Sequence, residues 1–310
     1  MINKAIFEKT FSDFTRLKTI VVYLVFLTVP LLIFSGVASE GKLFAVTSLD
    51  LKAEYLFGFF SLFSFVWICG IALALLSIYF CASLISQEVS DRTILLLVTK
   101  PVKRVEIFMS KFLAFILAIL LYSAFSLIVS VYIWASAFEL DIFSLGIFIT
   151  KMPLFFVYSV FVALFFGSMS AATSTVFSNK VKSIIPMVIL VIITFFVYIQ
   201  IRGIARSMDA YTGVLSAADI GYDFGNFYIS LLESGGVKFI PTAQMIIGGF
   251  TGVYDIPDDG VKIDYDHGFV LPSLDRLYYR STAASLLKLT ILPILLTAAG
   301  LFIFSKRDIS

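Results

Sequence analysis

Charge is scarce in this sequence. Only 14% of its 310 residues are Asp, Glu, Lys or Arg, while 60% are hydrophobic. A soluble domain carries about a quarter charged residues. This chain, with a mean hydropathy of +1.00, cannot clothe itself in a water-facing surface and takes lipid as its solvent. Histidine is nearly missing: His267, within Asp264-Tyr265-Asp266-His267-Gly268, is the only one. The two cysteines, Cys69 and Cys81, sit inside one apolar run. They read as small buried side chains rather than a disulfide framework. With so few soft ligands a metal site is disfavoured, and the His267 stretch reads as a solvated turn. No Gly-x-x-x-x-Gly-Lys-Ser/Thr phosphate loop occurs, so the sequence offers no nucleotide site. A net charge of +2 gives no global field that would draw nucleic acid. Internal repeats and low-complexity tracts are also missing.

What is abundant is apolar sequence in long runs. A span takes about 20 apolar residues, and six runs qualify: about 20–37, 56–82 (within the longer Tyr55–Ile85), 112–137, 154–176, 184–201 and 286–304. The expected fold class is therefore an all-α integral membrane domain over 1–310. Residues 2–18 are different. Ile2, Ile6, Phe7, Phe11, Phe14 and Leu17 recur at three-to-four spacing, with Lys4, Glu8, Lys9, Asp13 and Arg16 mostly between them. That pattern predicts an amphipathic helix lying in the membrane interface.

Orientation follows from Lys and Arg in short loops. One side holds Lys4, Lys9, Arg16, Lys18, Arg92, Lys100, Lys103, Arg104, Lys111, Lys180, Lys182, Lys306 and Arg307; the other has only Lys42, Lys52 and Lys151. The richer side is expected to be the cytoplasm, which puts both termini inside and requires an even number of spans. Residues 202–285 then lie outside. Past Arg202 this segment carries ten acids and five bases, and a segment of that length is largely exempt from the charge rule. Phe224–Glu233 reads as a short helix. Thr242–Ile247, after Pro241, is too short to span and could dip into the membrane or cover the outer mouth.

The spans themselves hold almost no ionisable groups, which disfavours a proton- or sodium-coupled transporter. The small polar run Gly167–Thr175 is expected to serve close helix packing.

The segment 86–111, between spans 2 and 3, is the most informative. Gln87, Glu88, Ser90, Asp91 and Arg92 come first. The apolar cluster Ile94–Val98 follows, Pro101 ends it, and Lys103-Arg104 forms a basic turn before Glu106 and Lys111. On pattern alone a helix that docks into a partner and a helix that snorkels at the headgroups are equally compatible. A Glu88–Arg92 pair at four-residue spacing is worth only about 0.2–0.5 kcal/mol, so stability hardly accounts for those charges.

In Glu88, Asp91-Arg92-Thr93, Ile94–Val98, Thr99-Lys100-Pro101, Lys103-Arg104 and Lys111 the segment resembles the signature of the ABC-2 type permeases, the membrane subunits of ABC exporters. Arg92 stands where the family commonly has Gly. The resemblance implies a permease that works with a second copy of itself or a related half-permease. Each half would bind a cytosolic ABC ATPase subunit, two copies in all. ATP and Mg would be held by that ATPase, and no cofactor or catalytic residue by this chain. Gln87, Glu88, Ser90, Asp91, Arg92, Thr93, Pro101, Lys103 and Arg104 would form the ATPase-coupling segment. Residues 2–18 would be the family's elbow helix. The expected location is the plasma membrane. Competing readings are a secondary transporter or channel, a membrane enzyme with its site in 202–285, and an ABC-like mechanical or assembly complex. The transported substrate is not encoded in any motif here.

Overall fold

The structure, a computed structural model, describes residues 3–40, 49–87, 103–208, 210–255, 263–264, 268–269 and 273–306. Among the described residues six helical stretches are long and apolar enough to cross a membrane: Leu17–Ser39, Lys52–Ala82, Arg104–Ala137, Ile142–Val176, Lys180–Ser207 and Thr282–Lys306. The fold is all-α apart from a two-residue hairpin, β1 (Ile263–Asp264) against β2 (Gly268–Phe269).

The first helix, α1 (Lys4–Phe14), is capped by Asn3, whose Oδ1 accepts from the Ile6 amide at 3.3 Å. It buries Thr10 and Phe14 and leaves Lys4, Glu8 and Lys9 exposed, so the helix is amphipathic. It ends at Thr15, so the amphipathic pattern expected over 2–18 breaks before α2 (Leu17–Glu40), the first span. Tyr23, Leu27 and Leu31 of α2 are buried, whereas Val21, Val22, Val25, Val29, Leu32 and Ile33 are exposed. Such an exposed apolar stripe is normal where the solvent is hydrocarbon.

Span 2 is the axis of the molecule. It comprises α3 (Leu49–Phe63), a π-helical stretch (Ser64–Ala72) and α4 (Leu73–Ala82). It is apolar on every face and mostly buried, which is the mark of a central helix. Against it pack α2, α5 (Arg104–Ala137), α6 (Ile142–Val176) and the fifth span, while α12 (Thr282–Lys306) packs on α6. The fifth span joins α7 (Lys180–Ile192) through a second π-helical stretch (Ile193–Val197) to α8 (Tyr198–Ser207).

Aromatic rings fill the core. Phe60 meets Trp134, Phe148 and Phe155 edge-on, with centroids 5.3–5.7 Å apart. Each such pair adds about 0.5–1.5 kcal/mol beyond burial. The small residues of α6 allow close approach. A Cβ on Gly167 would sit 2.3 Å from the Phe115 ring, and one on Gly300 would sit 3.0 Å from Ala172 Cα. Ser170 Oγ donates to the Ile78 carbonyl at 3.1 Å, and Thr297 Oγ1 donates to the Ser168 carbonyl at 3.1 Å. The 167–175 run serves helix packing, as its composition suggests.

Between the last two spans lie α9 (Gly213–Ala218), α10 (Ile220–Ser234) and α11 (Pro241–Thr251). Every residue of α10 from Gly221 to Ile229 is buried. Its rings drive into the bundle: Phe224 lies against Phe165, Phe166 and Phe195, and Tyr228 lies 4.6 Å from Tyr158. The Tyr228 hydroxyl donates to the Ser61 carbonyl at 2.7 Å. Helix α11 closes over span 2 where a Cβ on Gly58 would come within 2.5 Å of Ala243 Cβ. These helices form a cap that fills the end of the bundle. The opposite end, the base, carries α1.

Candidate functional site

Three constructions at the base and the cap could carry function. The first is at the roots of the 86–111 segment. Gln87 is exposed in the helical turn just past α4 and reaches the mouth of a cavity. Lys103, also exposed, is the N-cap residue of α5. Arg104 opens α5 and donates to the Phe304 and Ser305 carbonyls at 3.1 and 3.3 Å, at the end of α12. Cations are favoured beside those unsatisfied terminal carbonyls. Glu88, Ser90, Asp91, Arg92, Thr93 and Pro101 lie outside the described residues, as does His267. The three described candidates therefore mark the two ends of the segment, and the rest of the set belongs to the residues between.

Lys111 supplies the link between those ends. It is buried, and its Nζ donates to the Leu84 carbonyl at 2.7 Å. That bond ties the foot of α5 to the foot of span 2 across 27 residues. The same stretch of α5 holds α1: the Asn3 amide donates to Ser110 Oγ at 2.8 Å, and the Tyr122 hydroxyl donates to the Phe14 carbonyl at 2.9 Å. Phe14 stacks on Phe80 at 4.3 Å. Displacement of the 86–111 segment would thus be felt by spans 2, 3 and 6 and by α1.

The second construction is a cavity of about 1010 Å³ at the base, between α1, α2 and α4. Lys9, Arg16, Lys18, Lys111 and Lys180 line it, with Asp13 as the only carboxylate among its described walls. Val22, Phe26, Leu75 and Phe80 form its apolar side. Lys180 Nζ sits 3.5 Å from the centroid of the Tyr79 ring, also in the wall.

The third is the charged interior of the cap. Arg202 is 2% exposed and Asp219 0%. Asp219 Oδ2 accepts from Arg202 Nε and Nη2 at 2.9 and 2.8 Å and from the Tyr211 hydroxyl at 2.7 Å. Its Oδ1 caps α10 by accepting from the Tyr222 amide at 2.8 Å. Gly252, at φ +74°, passes over the guanidinium where any Cβ would collide with it, so glycine is required twice over. Asp223, also 0% exposed, pairs with Arg280 and with Lys288 Nζ at 2.5 Å. Asn226 Nδ2 donates to the Arg280 carbonyl and to Ser285 Oγ, both at 3.1 Å. Burial and the neighbouring Asp219 carboxylate push the Tyr211 hydroxyl above its ordinary pKa. Burial and the Glu233 carboxylate do the same for Tyr254.

Sequence reasoning missed this cluster and the base cavity. Arg202 reads as a loop residue just past an apolar run, yet the fifth span continues as helix to Ser207 and buries it. The spans are therefore not free of buried charge near their ends, Lys111 and Arg202 being the exceptions. Among the described residues no group of His, Cys, Asp and Glu could hold a metal ion.

Two irregularities meet beneath the cap. The π-helical stretches of spans 2 and 5 touch through Phe65 and Phe195, 5.9 Å apart edge-on, and both lie against α10 through Tyr228 and Phe224. Runs of π-helix are rare and concentrate at functional positions.

Comparison with curated proteins gives no match. The family profile described as ABC-2 family transporter protein matches residues 4–309, from the first turn of α1 to beyond the end of α12. The six spans and this end-to-end match agree, and the chain belongs to the ABC-2 transporter family.

Proposed function

We propose that this chain is the permease half of an ATP-driven exporter and is moved through residues 87–104. As an ABC-2 permease it is a non-catalytic membrane subunit, and such permeases pair with a cytosolic ATPase subunit. In this reading the base faces the cytosol, both termini are cytoplasmic, and the membrane is the plasma membrane. Two ATPase subunits and two permease halves form the working unit. Gln87, Glu88, Ser90, Asp91, Arg92 and Thr93 sit in the ATPase groove. Pro101, Lys103 and Arg104 return the push to α5 and α12.

The observation that carries the reading is the Lys111–Leu84 bond at the two roots of the segment. It makes the feet of spans 2 and 3 one body, so a force on the segment between them moves both. Closing of the ATPases on ATP would draw two such segments together. The π-helical stretches beneath the cap are where spans 2 and 5 would bend. A span with i→i+5 bonding has a local register that can revert, which suits a hinge.

Purification of the chain from its own membrane, followed by a search for a co-purifying Walker-motif ATPase, tests the proposal. Glu88→Ala and Arg92→Ala together should reduce ATPase retention at least about tenfold, in line with loss of desolvated interface charges. Failure of any ATPase to accompany the chain overturns it.

A further inference from the structure

We propose that the base cavity is a binding site for one anionic phospholipid of the adjoining leaflet, with the phosphate at the basic rim and an acyl chain along α2 and α4. This inference rests only on the chain's being a membrane protein and is independent of ATPase coupling. The charge argument is direct. Among the described residues the walls hold five cations and one carboxylate. The carboxylate pairs with Arg16, Asp13 Oδ1 lying 2.6 Å from Arg16 Nη2, and Lys111 is held by the Leu84 carbonyl, which leaves Lys9, Lys18 and Lys180 as the excess positive charge. Lys9 and Lys18 are exposed and free to swing toward a headgroup, and Lys180 reaches in from α7 across Tyr79. Anionic headgroups attract such cations, and the attraction adds over them.

The apolar argument is independent of the charges. Phe26 and Val22 of α2 and Leu75 and Tyr79 of α4 line the side of the cavity that continues along the spans. Val22, Phe26 and Tyr79 are among the exposed large hydrophobics. The cavity thus has a charged lip at the level of the interfacial helix and an apolar wall running toward the membrane interior. That division matches an amphiphile and not a small water-soluble anion. Its volume of about 1010 Å³ stands at the upper end of the range for ligand sites, roughly 300–1,000 Å³, which leaves room for a headgroup and the first part of a chain.

A spectroscopic reporter already stands beside it. Trp67 packs on Phe26 at 5.0 Å and donates from Nε1 to the Leu27 carbonyl at 3.1 Å. The chain has two tryptophans, and Trp134 is buried near the cap end of α5. The full chain carrying Trp134→Phe would be reconstituted in phosphatidylcholine vesicles containing small fractions of phosphatidylglycerol brominated on its acyl chains. Trp67 should be quenched by brominated phosphatidylglycerol at several-fold lower mole fraction than by brominated phosphatidylcholine. Lys9→Gln, Lys18→Gln and Lys180→Gln should each weaken that preference, by up to roughly fivefold per cation, and the triple variant should abolish it without altering the melting temperature. Native mass spectrometry of the unmutated chain should retain phosphatidylglycerol in preference to phosphatidylcholine.

Equal quenching by the two lipids, or a preference unchanged in the triple variant, overturns the proposal. Relief of the quenching by soluble glycerophosphate at matched concentration also overturns it, because the site would then recognise phosphate alone. Loss of quenching as chains are concentrated into dimers would assign the cavity to a second copy and overturn it as well.

Discussion

At the cap, Arg202, Asp219 and Asp223 are buried against partners of opposite charge, and the Asp219 carboxylate also caps α10. At the base, Lys9, Arg16 and Lys18 stand exposed at the lip of a largely apolar cavity whose charged wall residues, among the described ones, are mainly basic. The same residue types therefore do different work at the two ends. Buried and mutually satisfied charge fixes the cap to the adjoining ends of the fifth and sixth spans, through the Arg202–Asp219 and Asp223–Lys288 pairs. At the base the charge lining the cavity is mostly of one sign among the described residues. In the proposed mechanism the two ends would divide the work, the cap held and the base pushed.

The largest test of the contrast is Asp219→Ala. It strands a buried guanidinium, and breaking a buried pair in this way costs about 3–5 kcal/mol. The melting temperature in detergent should fall steeply. Its counterpart at the base, Asp13→Ala, removes an exposed partner of Arg16 and should cost under about 1 kcal/mol. Similar losses from the two would erase the distinction between the ends.

Lys111→Met should fall between them. It withdraws the donor from the Leu84 carbonyl at a cost of about 1–3 kcal/mol. It should also uncouple the roots of the segment, so ATP hydrolysis in the assembled complex would persist while transport falls. A parallel loss of both would mean that Lys111 is only structural.

Alkaline titration sharpens the same contrast. Tyr211 and Tyr254 have folded pKa values raised above the ordinary 10.0. Their contribution is complete below pH 10 and is lost as pH rises through the higher folded values, because the unfolded phenol ionises first. Thermal melts from pH 8 upward should show a decline beginning near pH 10, and Tyr211→Phe should make that decline shallower. An unchanged slope in the variant would remove Tyr211 from the account.

The smallest expected effect, at Gly146, is paired with a larger one at a packed glycine. Gly146→Ala introduces a methyl with nothing within 4 Å and should be neutral or gain up to about 1 kcal/mol of helix stability. Gly167→Ala, against the Phe115 ring, should lose about 1–3 kcal/mol. Melting temperatures of the pair separate exposed from packed glycine.

The spans were legible because hydrocarbon demands runs of apolar residues, and no soluble fold produces six of them. Their ends were not. Arg104–Lys111 and Ile142–Pro153 are helical yet lie beyond the apolar runs, since helix continues wherever protein or headgroups satisfy its polar side chains. The short helix read at Phe224–Glu233 falls inside α10, but its burial was hidden. A sequence does not reveal that Asp223 finds Lys288, 65 residues away, or that Arg202 finds Asp219. Those pairings follow from how the cap returns to the bundle. The proposed coupling segment reads as a motif of charged, apolar and proline elements in order; of its described members Arg104 rests on the Phe304 and Ser305 carbonyls, while Gln87 and Lys103 are exposed. The base cavity was not legible, because its cations come from α1, α2, α5 and α7.

The most direct measurement is hydrogen exchange on the permease with and without its ATPase, carried through a cycle of ATP binding. The account predicts slowed exchange in peptides covering residues 83–111 when the ATPase binds, a further change there with ATP, and an unaltered cap over residues 219–234. Changes confined to the cap, with residues 83–111 unaffected, would contradict it.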